Sequence, residues 1–298
     1  INVMKQDVIE KLVRPMIKDI TPYRSARDEF EDFEAQKIFL DANENPFDNG
    51  LNRYPDPLQR KLKRTLANIK QVREEQILLG NGSDEVLDLI IRTFCEPGEE
   101  EVLVLPPTYG MYSVLAKLNN VSVKEVPLNK NFQIEIESVL EAVNPKTKII
   151  FVCTPNNPSG NTIPINQIKK LLKSFSGIIV IDEAYIDFSQ EKSALSILDQ
   201  YPQLLVCQTF SKAYGLAGIR LGMCFANPLV IDYFNKIKPP YNVNSLTQSK
   251  ALEKLEDSAE VNDQVNTVIV ERNKLNKELK QFDFITKIYP SDANFLLV

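Results

Sequence analysis

The chain has 298 residues, of which 43% are hydrophobic and 25% charged, an ordinary globular composition that excludes a disordered, collagen-like or coiled-coil chain. Its 35 basic and 40 acidic residues give a net charge of −5, with no basic stretch of the kind a phosphate-neutralising nucleic-acid binder needs. Histidine is absent, which excludes serine–histidine and cysteine–histidine nucleophiles and every histidine-ligated metal site, and no metal is expected.

The length predicts about two domains. The N-terminal stretch to about Leu40 is broken at Arg14-Pro15 and Thr21-Pro22 and shows no α/β pattern. From Gln76 onward, short β-rich runs alternate with helical periodicity. Strands are predicted at Ile77 to Leu79, Val102 to Leu105, Val121 to Val126, Lys148 to Cys153, Ile178 to Ile181, Leu204 to Thr209 and Leu221 to Phe225. Several are apolar throughout, as strands buried on both faces should be. Helices are predicted at Ser83 to Phe94, Thr108 to Leu118, Ile134 to Val143, Ile165 to Phe175 and Pro228 to Ile237. After Pro239-Pro240 the alternation stops, and Val261, Val265, Val268, Leu275 and Leu279 mark one face of a long helix. The expected architecture is α/β: a large domain over 41–240, built on a mostly parallel seven-stranded sheet flanked by helices, and a smaller α+β domain from 1–40 and 241–298.

Cys95, Cys153, Cys207 and Cys224 lie far apart without a C-x-x-C pair, as reduced core thiols of a cytoplasmic protein would. No apolar run approaches the ~20 residues a bilayer demands, and Ile1 to Glu10 is too polar for a signal peptide. A first residue of Ile leads us to expect that the natural chain is longer.

Chemistry gathers at the predicted strand ends. Gly80-Asn81-Gly82-Ser83-Asp84-Glu85 follows a strand and opens a helix, so its N–H groups form an anion site or, equally, a tight turn capped by Ser83 or Asp84. Thr154 to Gly160 places Asn156 and Asn157 where open α/β sheets bind ligands, although such residues also build plain turns. Asp182-Glu183-Ala184-Tyr185 ends a strand with an acid and, three residues on, a phenol; the acid could instead cap a helix. Ser211-Lys212 follows another strand, with Arg220 close behind. A lysine there is either surface or, at a buried strand end, a nucleophilic amine. Each motif alone has a structural reading; four together point to one site.

These residues resemble the fold-type I, pyridoxal phosphate (PLP) dependent aminotransferases, and among them the branch acting on histidinol phosphate. The resembling segments are Leu40 to Pro46, Asn52 to Pro55, Gly80 to Glu85, Pro106 to Tyr112, Pro155 to Gly160, Asp182 to Tyr185, and Ser211-Lys212 with Arg220. The resemblance implies that Lys212 holds PLP covalently and shuttles the substrate proton, and that Asp182 pairs with the ring nitrogen. Tyr185 and Asn157 would bond the ring's phenolic oxygen, and Tyr109 would stack on the ring. Ser83, Asp84, Ser211 and Arg220 would hold the phosphate. It further implies a homodimer in which Tyr54 reaches the partner's cofactor, and a substrate pocket including Tyr23, Asn43 and Tyr241. The family continues past a strand at Asn294 to Val298 into elements carrying substrate-gripping arginines, so the C-terminal part of the small domain is expected to be missing here.

The implied reaction is transamination of L-histidinol phosphate with 2-oxoglutarate, giving imidazole acetol phosphate and glutamate in histidine biosynthesis. Aromatic amino-acid aminotransferases and threonine-phosphate decarboxylases share the cofactor residues and are the alternatives within the fold. A non-catalytic PLP-fold protein should lack Lys212 or Asp182, and both are present. A nucleotide-binding α/β protein would leave Asn157, Tyr185 and Lys212 without a role.

Overall fold

The computed structural model describes residues 2–23, 25, 27 and 38–298. The elements, in chain order, are α1 (Asn2–Leu12), α2 (Pro15–Asp19), α3 (Arg60–Lys70), β1 (Ile77–Asn81), α4 (Ser83–Phe94), β2 (Glu101–Val104), α5 (Met111–Leu118), β3 (Ser122–Glu125) and α6 (Ile136–Ala142). There follow β4 (Thr147–Cys153), α7 (Ile165–Ser174), β5 (Ile178–Asp182), β6 (Leu204–Thr209), β7 (Leu221–Phe225), α8 (Pro228–Ile237), α9 (Ser245–Glu256) and α10 (Ser258–Leu279).

The seven strands form one sheet in the order β1-β7-β6-β5-β4-β2-β3. β3, β2, β4, β5 and β6 run parallel, whereas β7 is antiparallel to both β6 and β1. The apolar runs alternate faces with the strand period. In β4, Ile150 and Val152 join one hydrophobic cluster while Ile149, Phe151 and Cys153 join the other. Both faces are therefore dry, which is why these strands read as unbroken apolar runs instead of alternating ones.

All seven predicted strands are present, and the crossover helices lie where periodicity puts them. The helix expected from Thr108 begins at Met111, which leaves Tyr109 on the loop before it. α3 and α9 were not anticipated: α3 is highly charged, yet Leu62 and Leu66, one turn apart, are buried. The described part of 1–40 leans on the large unit, with Ile9, Val13 and Ile17 in the same hydrophobic cluster as α4 and α8. On the other face, Ala251, Leu255, Val261 and Val265 join the cluster containing Tyr185 and Phe210. The strand expected at Asn294 to Val298 is irregular chain. Among the described residues, one hydrogen bond to its backbone from outside the segment resembles pairing, Tyr289 N–H to the Leu297 carbonyl at 3.0 Å. This C-terminal stretch is strapped to the β4 loop, with Asp292 N–H on the Gly160 carbonyl at 2.7 Å and Thr162 Oγ1 on Asp292 Oδ2 at 2.8 Å.

Candidate active site

The start of α4 is shaped by two glycines. Gly82 has a φ of 82°, in the left-handed region, and turns the chain into the helix so that its first N–H groups have no helical partner. A Cβ on Gly222, in β7, would lie 2.3 Å from Ser83 N, so only glycine lets that strand pass the helix start. A Cβ on Gly82 would lie 2.7 Å from Arg220 Nη2, which places the guanidinium directly over the turn. Arg220 Nη2 is 3.6 Å from Asp84 Oδ2. A helix N-terminus and a guanidinium thus converge on one corner, a site for an anion such as a phosphate.

That corner belongs to a cavity of about 210 Å³ at the carboxyl ends of the parallel strands. Ser83, Asp84, Tyr109, Asn157, Asp182, Tyr185, Ser211, Lys212 and Arg220, all named from sequence, line it together. The loop residues are held by Asn156, which is 1% exposed. Its Nδ2 donates to the Pro107 carbonyl at 2.9 Å and to Ser159 Oγ at 2.7 Å, and its Oδ1 accepts from Thr108 Oγ1 at 2.9 Å. Of the two asparagines read in this loop, Asn156 is the brace that joins it to the Tyr109 loop, and Asn157 faces the cavity.

Asp182 ends β5 between Cys153 of β4 and Cys207 of β6. It is 4% exposed and accepts from Tyr112 Oη at 2.7 Å and from the Ala184 N–H at 3.1 Å. Burial raises its pKa above the ordinary carboxylate value, against the pull of these two donors. Both donors are neutral, and no ion pair reaches it among the described residues. Tyr109 donates to Asp84 Oδ1 at 3.1 Å, and burial together with the Asp84 charge pushes its phenol up to about 12. Lys212 is exposed at the rim, unlike the buried strand it follows, and its Nζ lies 5.2 Å from the centroid of the Tyr185 ring.

Cys153, Ala184, Thr209 and Ala217 also line the cavity, and Tyr112 supports it from beneath; sequence reasoning assigned none of them. The small residues carry no signal of their own. Tyr112 had one, its place three residues after Tyr109 in the same motif, but an apolar helix face masks it.

The remaining sequence-named residues lie elsewhere. Asn43 and Tyr54 line a second pocket of about 490 Å³ with Glu44 and Leu246, and Tyr54 stacks on Tyr241 at 4.4 Å between centroids. Tyr23 is 76% exposed and lines neither pocket.

An exposed amine, a buried acid lacking a cationic partner, an aromatic platform and an anion corner in one cavity define a transferase that works through a phosphorylated heterocyclic cofactor. Residues 30–298 match the family model for aminotransferase class I and II. The histidinol-phosphate aminotransferase of Flavobacterium johnsoniae is 55% identical over 290 residues, covering 97% of this chain and 83% of its own length. The crystal structure of the histidinol-phosphate aminotransferase from Clostridium acetobutylicum matches with a TM-score of 0.76 and 27% identity, over 83% of this chain and 74% of that one. That from Sinorhizobium meliloti, in complex with pyridoxal-5'-phosphate, has the same fold, with a TM-score of 0.75 and 24% identity over 82% of this chain and 67% of that one. The chain belongs to the histidinol-phosphate aminotransferase family of the class I and II aminotransferases.

Proposed function

We propose that the protein transfers the amino group of L-histidinol phosphate to 2-oxoglutarate, giving imidazole acetol phosphate and L-glutamate, with PLP bound in the cavity of about 210 Å³. The observation that carries this reading is Asp182. A buried carboxylate satisfied only by neutral donors is costly unless a cation joins it, and a protonated ring nitrogen is such a cation. The same cavity supplies the complementary half, the Ser83 and Asp84 N–H groups and the Arg220 guanidinium for a phosphate.

When bound, PLP supplies an electron sink for the charge that develops at the substrate's α-carbon. The chain's own residues do the rest. Lys212 Nζ would hold the cofactor covalently and would carry the proton of the substrate's α-carbon. Asp182 would pair with the ring nitrogen and hold a proton on it. Tyr185 and Asn157, which line the cavity, would hydrogen-bond the ring's phenolic oxygen, and Tyr109 would stack on the ring.

We further infer a homodimer. The 38–54 segment exposes Ile38 at 89%, Leu40 at 87% and Phe47 at 81%, apolar surface that a second subunit would cover. Tyr54 sits on this surface, outside its own chain's cavity, and would reach the partner's phosphate corner. Tyr23, Asn43 and Tyr241 would then surround substrate at the subunit boundary.

The test is amino-donor selectivity of the PLP-loaded protein with 2-oxoglutarate as acceptor. Glutamate formation from L-histidinol phosphate should exceed that from phenylalanine or tyrosine in kcat/KM. Preference for an aromatic amino acid, or CO2 release from O-phospho-L-threonine without glutamate, would overturn the substrate assignment.

A further inference from the structure

Tyr112 is fully buried, and its ring is clamped, stacked on Phe151 at 4.8 Å between centroids and set edge-on to Tyr109 at 5.6 Å. Packing alone would be served by phenylalanine. The hydroxyl has a specific destination instead, Asp182 Oδ2 at 2.7 Å, and not a nearby backbone carbonyl. α5 thus delivers one aromatic side chain, Tyr112, to the underside of the acid, while the loop that leads into it delivers another, Tyr109, to the cavity.

We propose that Tyr112 is a positioning residue that sets where the proton rests between Asp182 and the cofactor's ring nitrogen. This rests on the PLP reading above. A carboxylate offers about four acceptor positions. Tyr112 Oη occupies one on Oδ2 and the Ala184 N–H one on Oδ1, fixing the carboxylate's plane and leaving acceptor capacity for a donor in the cavity. The phenolic donor favours the charged acid, so it opposes transfer of the ring proton to the carboxylate. Without it Asp182 is more basic and draws that proton toward itself. The ring nitrogen then loses the charge that makes it an electron sink.

The groups facing Asp182 make this balance close. Asp84 on α4 disfavours its ionisation and Lys212 after β6 favours it. Cys153 on β4, Cys207 on β6, Tyr109 and Tyr185 also face it, all of them neutral acids whose own ionisation its charge opposes. Burial pushes the Cys153 thiol up to about 12, so it stays protonated. Tyr112 is therefore the side-chain hydrogen-bond donor to Asp182 among these neighbours.

The experiment is ¹⁵N NMR of PLP labelled at the ring nitrogen, bound to the full chain, across pH. In the wild type the ring signal should be that of the protonated nitrogen. In Tyr112→Phe, which keeps the ring stack, the ring signal below its titration should move toward that of the unprotonated nitrogen, the ratio of ring-protonated to Asp182-protonated forms falling about tenfold or more, the size of one hydrogen bond to a charged group. Site-specific 3-fluorotyrosine at position 112, a stronger donor of nearly the same shape, should move it the opposite way and keeps the test open if the phenylalanine variant does not fold. A ring signal unchanged in both variants would leave Tyr112 a packing role only and overturn this inference while sparing the PLP reading. Failure of the wild type to bind PLP would overturn both.

Discussion

The cavity and the 38–55 segment are built on opposite principles. Around the cavity, the functional groups sit at the ends of buried strands, at the start of a helix and on the short loops beside them, and Asp182 is held in the sheet between Cys153 and Cys207. The 38–55 segment has no regular secondary structure. It is pinned by charge, with Glu44 receiving Arg27 at 2.6 Å, Arg53 at 2.8 Å and the Tyr54 N–H at 2.6 Å. Burial works to raise the Glu44 pKa, yet these donors together hold it below the ordinary value, so the carboxylate stays charged as the segment's anchor. The sheet gathers the cavity's groups from strand ends, whereas the ion-paired segment presents Ile38, Leu40 and Phe47 outward.

The largest break in this comparison is Lys212→Ala. It removes the covalent anchor and the proton carrier together, and turnover should fall by more than the ~10² to ~10⁴ typical of one acid–base group, measured by glutamate formation. Asp182→Asn should cost about that range by itself while the chain still folds, since asparagine can keep the Ala184 bond and relieves a buried charge. Subunit mixing separates the two regions. Lys212→Ala mixed with Tyr54→Ala should regain activity above the mean of the parents, because a mixed dimer contains one site with both native residues; no gain would place Tyr54 outside the partner's site. Arg220→Ala should weaken PLP binding about tenfold to a hundredfold by equilibrium dialysis, the loss of one charge-assisted contact.

The smallest effect is one of pH. The folded-state pKa of Asp182 in the cofactor-free protein is raised by burial, so the native state binds the proton more tightly than the unfolded chain. Its contribution to stability is complete below the unfolded carboxylate value of about 4 and is lost as pH rises through the folded value. Cofactor-free wild type should therefore lose melting temperature relative to Asp182→Asn as pH rises over that range. Parallel profiles would show that the acid is compensated without a cofactor.

The sheet was legible because its strands are apolar on both faces and are punctuated by Gly, Pro and Asn. The cavity was legible because its chemistry stands at the ends of those strands, where each polar residue interrupts an apolar run. The unanticipated parts have other causes. α3 hides its buried Leu62 and Leu66 among charges, so its overall polarity conceals a good amphipathic face. Asn156 and Asn157 are adjacent and alike, and only the hydrogen bonds to Pro107 and Ser159 tell the brace from the cavity residue. The expected strand at Asn294 to Val298 has the right residues, but a strand exists only by pairing, and a single bond to Leu297 does not make a ladder. Tyr54 and Tyr23 do not line the cavity, and among the described residues no contact draws them to it, so strand-end reasoning could not place them.

The central claim is that one cavity holds PLP on Lys212 and accepts histidinol phosphate. The most direct measurement is the visible spectrum of the protein after PLP addition and desalting, repeated after L-histidinol phosphate is added without keto acid. The expected result is a retained cofactor band that converts to that of the amine form of the cofactor on adding the donor, and no such band in Lys212→Ala. A wild-type protein that retains no band, or a band that L-histidinol phosphate leaves unchanged while phenylalanine converts it, would contradict it.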